Sequence, residues 1–185
     1  MIMFVTRHGE TDYNAAGRYC GGTDVPLNDV GLAQARELAR RLINVKFDAV
    51  ISSPMLRARQ TADIVCAELV INYNVYEQFA ERHLGVYEGL TRDEIKTRYP
   101  DLWNRQCTGK PDDAPDGGET LRQACARIDG GMARLRAVYG DKTILLICHG
   151  FASRAVNRYC NNLSFEEMAK FTLGNCDVVC YTLVS

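Results

Sequence analysis

The chain has 185 residues, carrying 22 Lys and Arg against 23 Asp and Glu for a net charge of −1. That length corresponds to about one domain, and 46% hydrophobic with 24% charged residues excludes a disordered, collagen-like or coiled-coil chain. The even charge argues against a protein that coats nucleic acid or an anionic membrane.

In chain order, Ile2–Thr6 reads as a buried strand that runs into a loop at Arg7-His8-Gly9. Asn28 is placed to cap a helix whose apolar positions are Leu32, Ala35, Leu38, Ala39 and Leu42. Phe47–Ile51 is a second strand. Ser53 is then expected to cap a helix with Pro54 at its first position, running to about Leu69. Val70–Val75 is a third strand. Thr91 and Glu94 form a capping box for a short helix that stops at Pro100. Cys107–Gly118, rich in Pro, Gly and Asp, is a loop, either a substrate lid or a simple connection. A long helix covers about Glu119–Tyr139 despite Gly130-Gly131 inside it. Thr143–Cys148 is an apolar strand ending in His149-Gly150, followed by a helix to about Cys160. Ser164 caps another short helix, and Val178–Val184 is the last strand. Strands alternating with helices give an α/β fold: three layers, a mainly parallel sheet with helices on both faces. No linker divides the chain, so residues 1–185 are expected to be one domain.

The eight cysteines contain no C-x-x-C pair. Met1–Arg7 lacks the basic region and long apolar stretch of a secretory signal, and no apolar run approaches membrane-spanning length. The expectation is a cytoplasmic protein with reduced thiols, no membrane and no nucleic-acid partner. Cys176 and Cys180 share one face of a strand-like segment, either as a metal-ligand pair or as a buried apolar face. The basic residues are 17 Arg to 5 Lys, and arginine's planar fork suits bidentate contacts to phosphate or carboxylate.

Only three histidines are present, and two share one setting. His8 and His149 each follow an apolar strand and precede a glycine, at the carboxyl ends of strands where ligands sit in α/β sheets. Arg7-His8-Gly9-Glu10-Thr11, with Asn14 three residues on, resembles the signature of the histidine phosphatase superfamily, the phosphoglycerate-mutase-like proteins. Three more blocks agree in order: Gly17–Gly21 with Asp24, Leu27 and Gly31; Ser52–Thr61; and Glu81-Arg82-His83-Leu84-Gly85 with Glu88-Gly89. Cys148-His149-Gly150 resembles the last block, so the likeness runs from end to end.

The resemblance implies a phosphoglycerate mutase-like fold and a phosphomonoesterase that works through a phosphohistidine. His8 would be the nucleophile and Glu81 the proton donor, with Glu77 and Glu88 as nearby alternatives to it. Arg7, Arg57, His149 and Asn14 would hold the phosphate. Arg59 is the neighbour from which Arg57 must be told apart. Cys20, Gly21 and Gly150, together with Tyr19, would border the pocket. A carboxyl in the role of Glu81 needs its proton when the ester departs. The mechanism calls for no metal and no cofactor, and the partner is a small phosphorylated metabolite; a homodimer is left open.

Within the resemblance, a phosphatase is favoured over a cofactor-dependent phosphoglycerate mutase. The mutases' tyrosine after the Glu-Arg-His triplet is Leu84 here, and their paired arginines fall at Thr108-Gly109. Small members of this kind include α-ribazole phosphatases and sugar-phosphate phosphatases. A non-catalytic binder of a phosphorylated ligand is the reading from another class, and it would have no use for His8 and Glu81. Oxidation of Cys20 or Cys148 beside the site would be a means of inhibition.

Overall fold

The structure is a computed structural model that describes residues 1–183. Five strands form one sheet in the order β3-β2-β4-β1-β5, with β1 at Ile2–Arg7, β2 at Ala49–Ser52, β3 at Tyr73–Val75, β4 at Thr143–Cys148 and β5 at Val178–Thr182. The first four run parallel, and β5 pairs antiparallel with β1. β4 is central, and Ile144–Cys148 are all buried, as a strand covered on both faces requires.

On one face, helices α2 (Asp29–Leu42) and α3 (Leu56–Leu69) bury Ala35, Leu38, Leu42, Ala58, Ala62 and Val65 against Val50, Leu145 and Ile147. On the other, α6 (Leu121–Tyr139) and α7 (Gly150–Asn161) bury Ile128, Met132, Leu135, Ala155 and Val156 against Met3, Val5, Ile144 and Leu146. Alternate strand residues thus serve opposite layers, as the twofold period of a strand dictates. The three-layer α/β architecture expected from the alternation is the one found. Gly131 fits the interior of α6 for a packing reason. A Cβ there would stand 2.7 Å from Gln78 Cβ, on the one-turn 3-10 helix Glu77–Phe79 that α6 lies against.

A smaller apolar cluster of Tyr87, Ile95, Leu102 and Cys107 holds together α4 (Arg92–Arg98), α5 (Pro100–Asn104) and the 107–118 loop. Here several elements differ from the sequence expectation. The helix capped by Thr91 and Glu94 does stop before Pro100, α4 ending at Arg98, and Pro100 then opens the additional helix α5, as suits a proline in a first turn. The third strand is only Tyr73–Val75, because Val70 takes the left-handed cap of α3 at φ 52°. The long helix starts at Leu121 on a Thr120–Gln123 capping box. A four-residue helix, α1 (Asp12–Ala15), is also present, capped by Thr11 with Asn14.

Ser53 does not cap α3. Met55 occupies the cap position without a side-chain bond, and the Leu56 N–H donates to Asp24 Oδ1 at 2.6 Å. A carboxylate from a distant loop therefore does the capping, and the Ser53 hydroxyl is left for another partner. Cys176 and Cys180 do not share an environment. Cys176 is buried in the turn before β5 at φ 57°, whereas Cys180 is exposed on β5. The short helix α8 (Phe165–Met168) does carry the expected Ser164 cap. Val184, at the end of the expected last strand, lies outside the described residues.

Candidate active site

Strand register brings the two histidines together. Arg7 of β1 pairs with Cys148 of β4, so His8 and His149 leave adjacent strands at the same level. The His8 N–H donates to the Cys148 carbonyl at 3.0 Å, and the ring centroids stand 5.1 Å apart. Ser53 leaves the neighbouring β2 at that level too, its N–H bonded to the Ile147 carbonyl at 3.0 Å. This is the carboxyl edge of the parallel strands, where α/β sheets hold ligands.

The loop after His8 is fixed by close backbone approach. A Cβ on Gly9 would lie 2.4 Å from the Gly31 carbonyl oxygen, and one on Gly31 would lie 2.1 Å from that of Glu10. The first turn of α2 therefore sits directly on the loop, and the Gly9 N–H donates to Thr61 Oγ1 at 3.1 Å. The His8 ring is 3% exposed, with Nδ1 2.6 Å from the Gly9 carbonyl oxygen. A carbonyl only accepts, so the ring proton is on Nδ1 and Nε2 keeps its lone pair. Burial, and then the Arg57 and Arg7 charges, hold the His8 pKa well below the usual histidine value. The ring is a neutral imidazole at neutral pH. His149 is wholly buried, and burial followed by Arg57, His8 and Arg7 holds its pKa well down as well. Its Nε2 lies 2.6 Å from Ser53 Oγ.

Arg57 has no exposed surface and braces a loop, Nη1 donating to the Thr23 carbonyl at 2.8 Å and Nη2 to that of Gly21 at 2.9 Å. Arg7 reaches the Leu173 carbonyl at 3.4 Å through Nη1, and burial is the main cause that lowers its pKa. Three buried donors around His8 have no partner among the described residues: Arg7 Nε, Arg57 Nε and His149 Nδ1. An unsatisfied buried donor costs about 1–3 kcal/mol, so three together mark a place prepared for an acceptor-rich anion.

Glu81 faces the same cavity, with Oε1 accepting from the Arg82 N–H at 2.9 Å and Oε2 from the Phe151 N–H at 3.1 Å in the first turn of α7. Its sequence neighbours sit elsewhere. Glu77 is exposed, and Glu88 accepts from the Gly22 and Leu84 N–H groups and the Thr23 hydroxyl, pinning the loop that Arg57 braces. Arg59 is exposed, so Arg57 is the arginine of that helix that enters the site. His83 lies at the surface, its side chain 54% exposed.

A cavity of about 450 Å³ collects Arg7, His8, Asn14, Cys20, Gly21, Arg57 and Glu81. Asn14 accepts through Oδ1 from the Thr11 N–H at 3.2 Å. The Cys20 thiol is pushed up mainly by burial, and the Cys148 thiol strongly so. His149 and Gly150 stand behind the wall: His149 touches His8, and a Cβ on Gly150 would be 3.8 Å from the Arg7 guanidinium. Tyr19 lines the cavity as expected, and Thr108 and Gly109 make the 107–118 loop one of its walls. That loop is tied down by Arg122 on Asp112 at 2.7 Å and Arg105 on Asp113 at 3.1 Å.

Sequence reasoning missed Ser53 as the partner of His149, and missed Arg82, Arg154, Phe151 and Phe165 on the cavity wall. The signal for Ser53 was present, in that it follows β2 as the histidines follow β1 and β4. The others come from separate segments with no shared pattern.

Comparison with known proteins agrees with the geometry. The histidine phosphatase superfamily (branch 1) matches residues 3–184. The phosphatase PhoE of Bacillus subtilis is 34% identical over 152 residues, which is 82% of this chain and 73% of that protein. A mycobacterial glucosyl-3-phosphoglycerate phosphatase superposes with a TM-score of 0.88 at 27% identity, covering 97% of this chain and 90% of that one. An α-ribazole phosphatase of Shigella flexneri does so with a TM-score of 0.90 at 25% identity, covering 97% and 89%. The chain belongs to branch 1 of the histidine phosphatase superfamily and is a phosphomonoesterase of that family, acting on a phosphorylated small molecule.

Proposed function

We propose that the chain hydrolyses a small phosphorylated metabolite in two steps through a phosphohistidine on His8, with sugar phosphates and α-ribazole phosphate as the first candidates. The observation that carries this reading is the set of three unpartnered buried donors around a neutral His8 whose Nε2 lone pair is free. A phosphate dianion placed there satisfies Arg7 Nε, Arg57 Nε and His149 Nδ1 with charge-assisted hydrogen bonds. The Ser53 hydroxyl gives its hydrogen to His149 Nε2, which keeps the ring proton on Nδ1 for the phosphate. Asn14 adds a neutral donor. Cys20 and Gly21 shape the walls around it, and Gly150 leaves room for the Arg7 guanidinium behind them.

In the first step His8 Nε2 attacks phosphorus, the P–O bond to the alcohol breaks, and Glu81 gives its proton to the departing oxygen. In the second, water attacks the phosphorus, the P–N bond breaks, and Glu81 takes the proton from that water. Inorganic phosphate leaves and both residues are restored. The donors are already fixed in the folded chain, so the growing charge on the equatorial oxygens is met without reorganisation.

Two substrates incubated in parallel without added metal test the reading: an aryl phosphate, and 3-phosphoglycerate with a trace of 2,3-bisphosphoglycerate. Free phosphate from the aryl ester, with an acid-labile and base-stable phosphoryl label on His8, is expected. Isomer of phosphoglycerate accumulating faster than free phosphate would make the chain a mutase. Binding of phosphate esters with neither label nor turnover would make it a binding protein.

A further inference from the structure

Beside the groups that hold the phosphate, the cavity has a second set of lining residues of different character. Leu84, Leu121, Phe151, Phe165 and Met168 line it, and Arg82 is set among them. Arg82 is only 3% exposed. Its Nε donates to the Glu119 carbonyl at 2.9 Å and its Nη1 to the Thr108 carbonyl at 2.8 Å, while the guanidinium lies over the Phe151 ring, 5.6 Å from its centre. Nη2 is buried and has no partner among the described residues. Both acceptors are neutral main-chain oxygens, and among the described residues no carboxylate lies within ion-pair distance of Arg82.

A guanidinium held on three sides, buried, and left with one open donor is expensive to keep unless an anion meets it. The phosphate is served elsewhere, by Arg7, Arg57 and His149. Arg82 lines the same cavity as Glu81, the proposed proton donor, so an alcohol departing into that cavity meets both. The apolar side chains beside it offer that alcohol surface without hydrogen bonds. Thr108 of loop 107–118 and Glu119, just before the cap of α6, fix the arginine through their carbonyls, which orients its planar fork.

Resting on the phosphatase reading above, we propose that the preferred substrate is a phosphomonoester whose alcohol has a flat apolar face, seated against Leu84, Leu121, Phe151 and Phe165, and bears a carboxylate that pairs with Arg82 Nη2. Arg82 is on this account the residue that selects the leaving group. This narrows the candidates named above: α-ribazole phosphate and sugar phosphates without an acid group leave that donor unpaired and are the weaker substrates, whereas a phosphorylated acid satisfies both Arg82 and the groups that hold the phosphate.

The test uses four esters on the purified chain: phenyl, 4-carboxyphenyl, 3-carboxyphenyl and 4-carbamoylphenyl phosphate. Free phosphate is followed for wild type, Arg82→Gln and Arg82→Lys. In the wild type, kcat/KM for the better carboxyphenyl isomer is expected to exceed that for the carbamoyl ester by about tenfold, mainly through KM, as a charge-assisted pair predicts. In Arg82→Gln that ratio falls to about one, and Arg82→Lys keeps part of it. Because the readout is a ratio within each protein, loss of folded material cancels. Equal use of the carboxylate and carboxamide esters by wild type overturns the proposal, and so does a ratio that survives Arg82→Gln. Both of these leave the phosphatase reading intact. Release of phosphate from none of the four overturns both.

Discussion

The two buried imidazoles make folding sensitive to acid in a window that can be calculated. Both His8 and His149 have pKa values held well below that of a free histidine, first by burial and then by the neighbouring guanidinium groups. In the unfolded chain each returns to about 6.5. Below that pH the unfolded state binds protons that the folded state refuses, so stability falls as pH falls. Between pH 7.5 and 5.5 each ring costs about 1.4 kcal/mol, and the pair about 2.7 kcal/mol. For a domain whose total stability is about 5–15 kcal/mol, that is a large share. The carboxylates held low by partners, Glu94, Asp112, Glu119 and Glu167, lose their contributions only below the ordinary carboxylate range, so they do not blur this window. Urea denaturation at pH 7.5, 6.5 and 5.5 would measure it, beside a His8→Asn, His149→Gln double variant. Asn keeps a donor where His8 Nδ1 sits, and Gln keeps an acceptor near His149 Nε2. His83 remains in both proteins as common background. A wild-type loss under about 0.5 kcal/mol, or an equal loss in the double variant, would refute the reasoning that the rings are neutral in the folded site.

Other expectations follow from single contacts. His8→Ala removes the proposed nucleophile and should lower kcat by about a thousandfold or more, with no phosphoryl label, in single-turnover assays. Ser53→Ala frees His149 Nε2 and should cost about tenfold in kcat with little change in fold, which circular dichroism and steady-state kinetics would separate. Gly31→Ala drives a Cβ into the Glu10 carbonyl and should lower stability by about 1–3 kcal/mol; an unchanged urea midpoint would count against the close approach. Mild peroxide should leave turnover unaltered, because burial raises the Cys20 and Cys148 thiols and so depletes the oxidisable thiolate. Progressive inactivation that Cys20→Ser abolishes would show the opposite.

What could be read from the chain alone depended on whether the signal was local. β1 and β4 were legible because each is a short apolar run stopped by His-Gly. The α2 start was legible because Asn28 caps Gly31 across one turn. The resemblance then named His8, His149, Arg57 and Glu81; the register of β1 on β4 is the physical reason that the two histidines meet, whereas Arg57 enters from α3 and Glu81 from the segment after Glu77–Phe79. Ser53 was misjudged because a serine before proline at a strand end looks the same whether it caps a helix or faces a histidine. Only the third dimension reveals that Asp24 has taken the cap. The helix α1 was missed since four residues carry no periodicity. Arg82 was visible as part of a block, but its orphaned nitrogen is a property of Thr108 and Glu119, which reach it from another part of the chain.

The position of β1 has a consequence for how the molecule comes into being. Of the five strands β1 is synthesised before the others, yet both its neighbours, β4 and β5, come from the last quarter of the sequence. At about 5–20 residues per second, a ribosome takes roughly 7–30 s to make the intervening stretch. For that time Ile2–Arg7 is an apolar strand with no ladder to join, open to pairing with other nascent chains. α2, β2 and α3 can gather beforehand, but the sheet cannot close through its middle until β4 arrives. Enzymatic activity is therefore expected to return on refolding only in the final kinetic phase, after most helical signal has recovered, and chaperone demand should fall on the emerging N-terminal half.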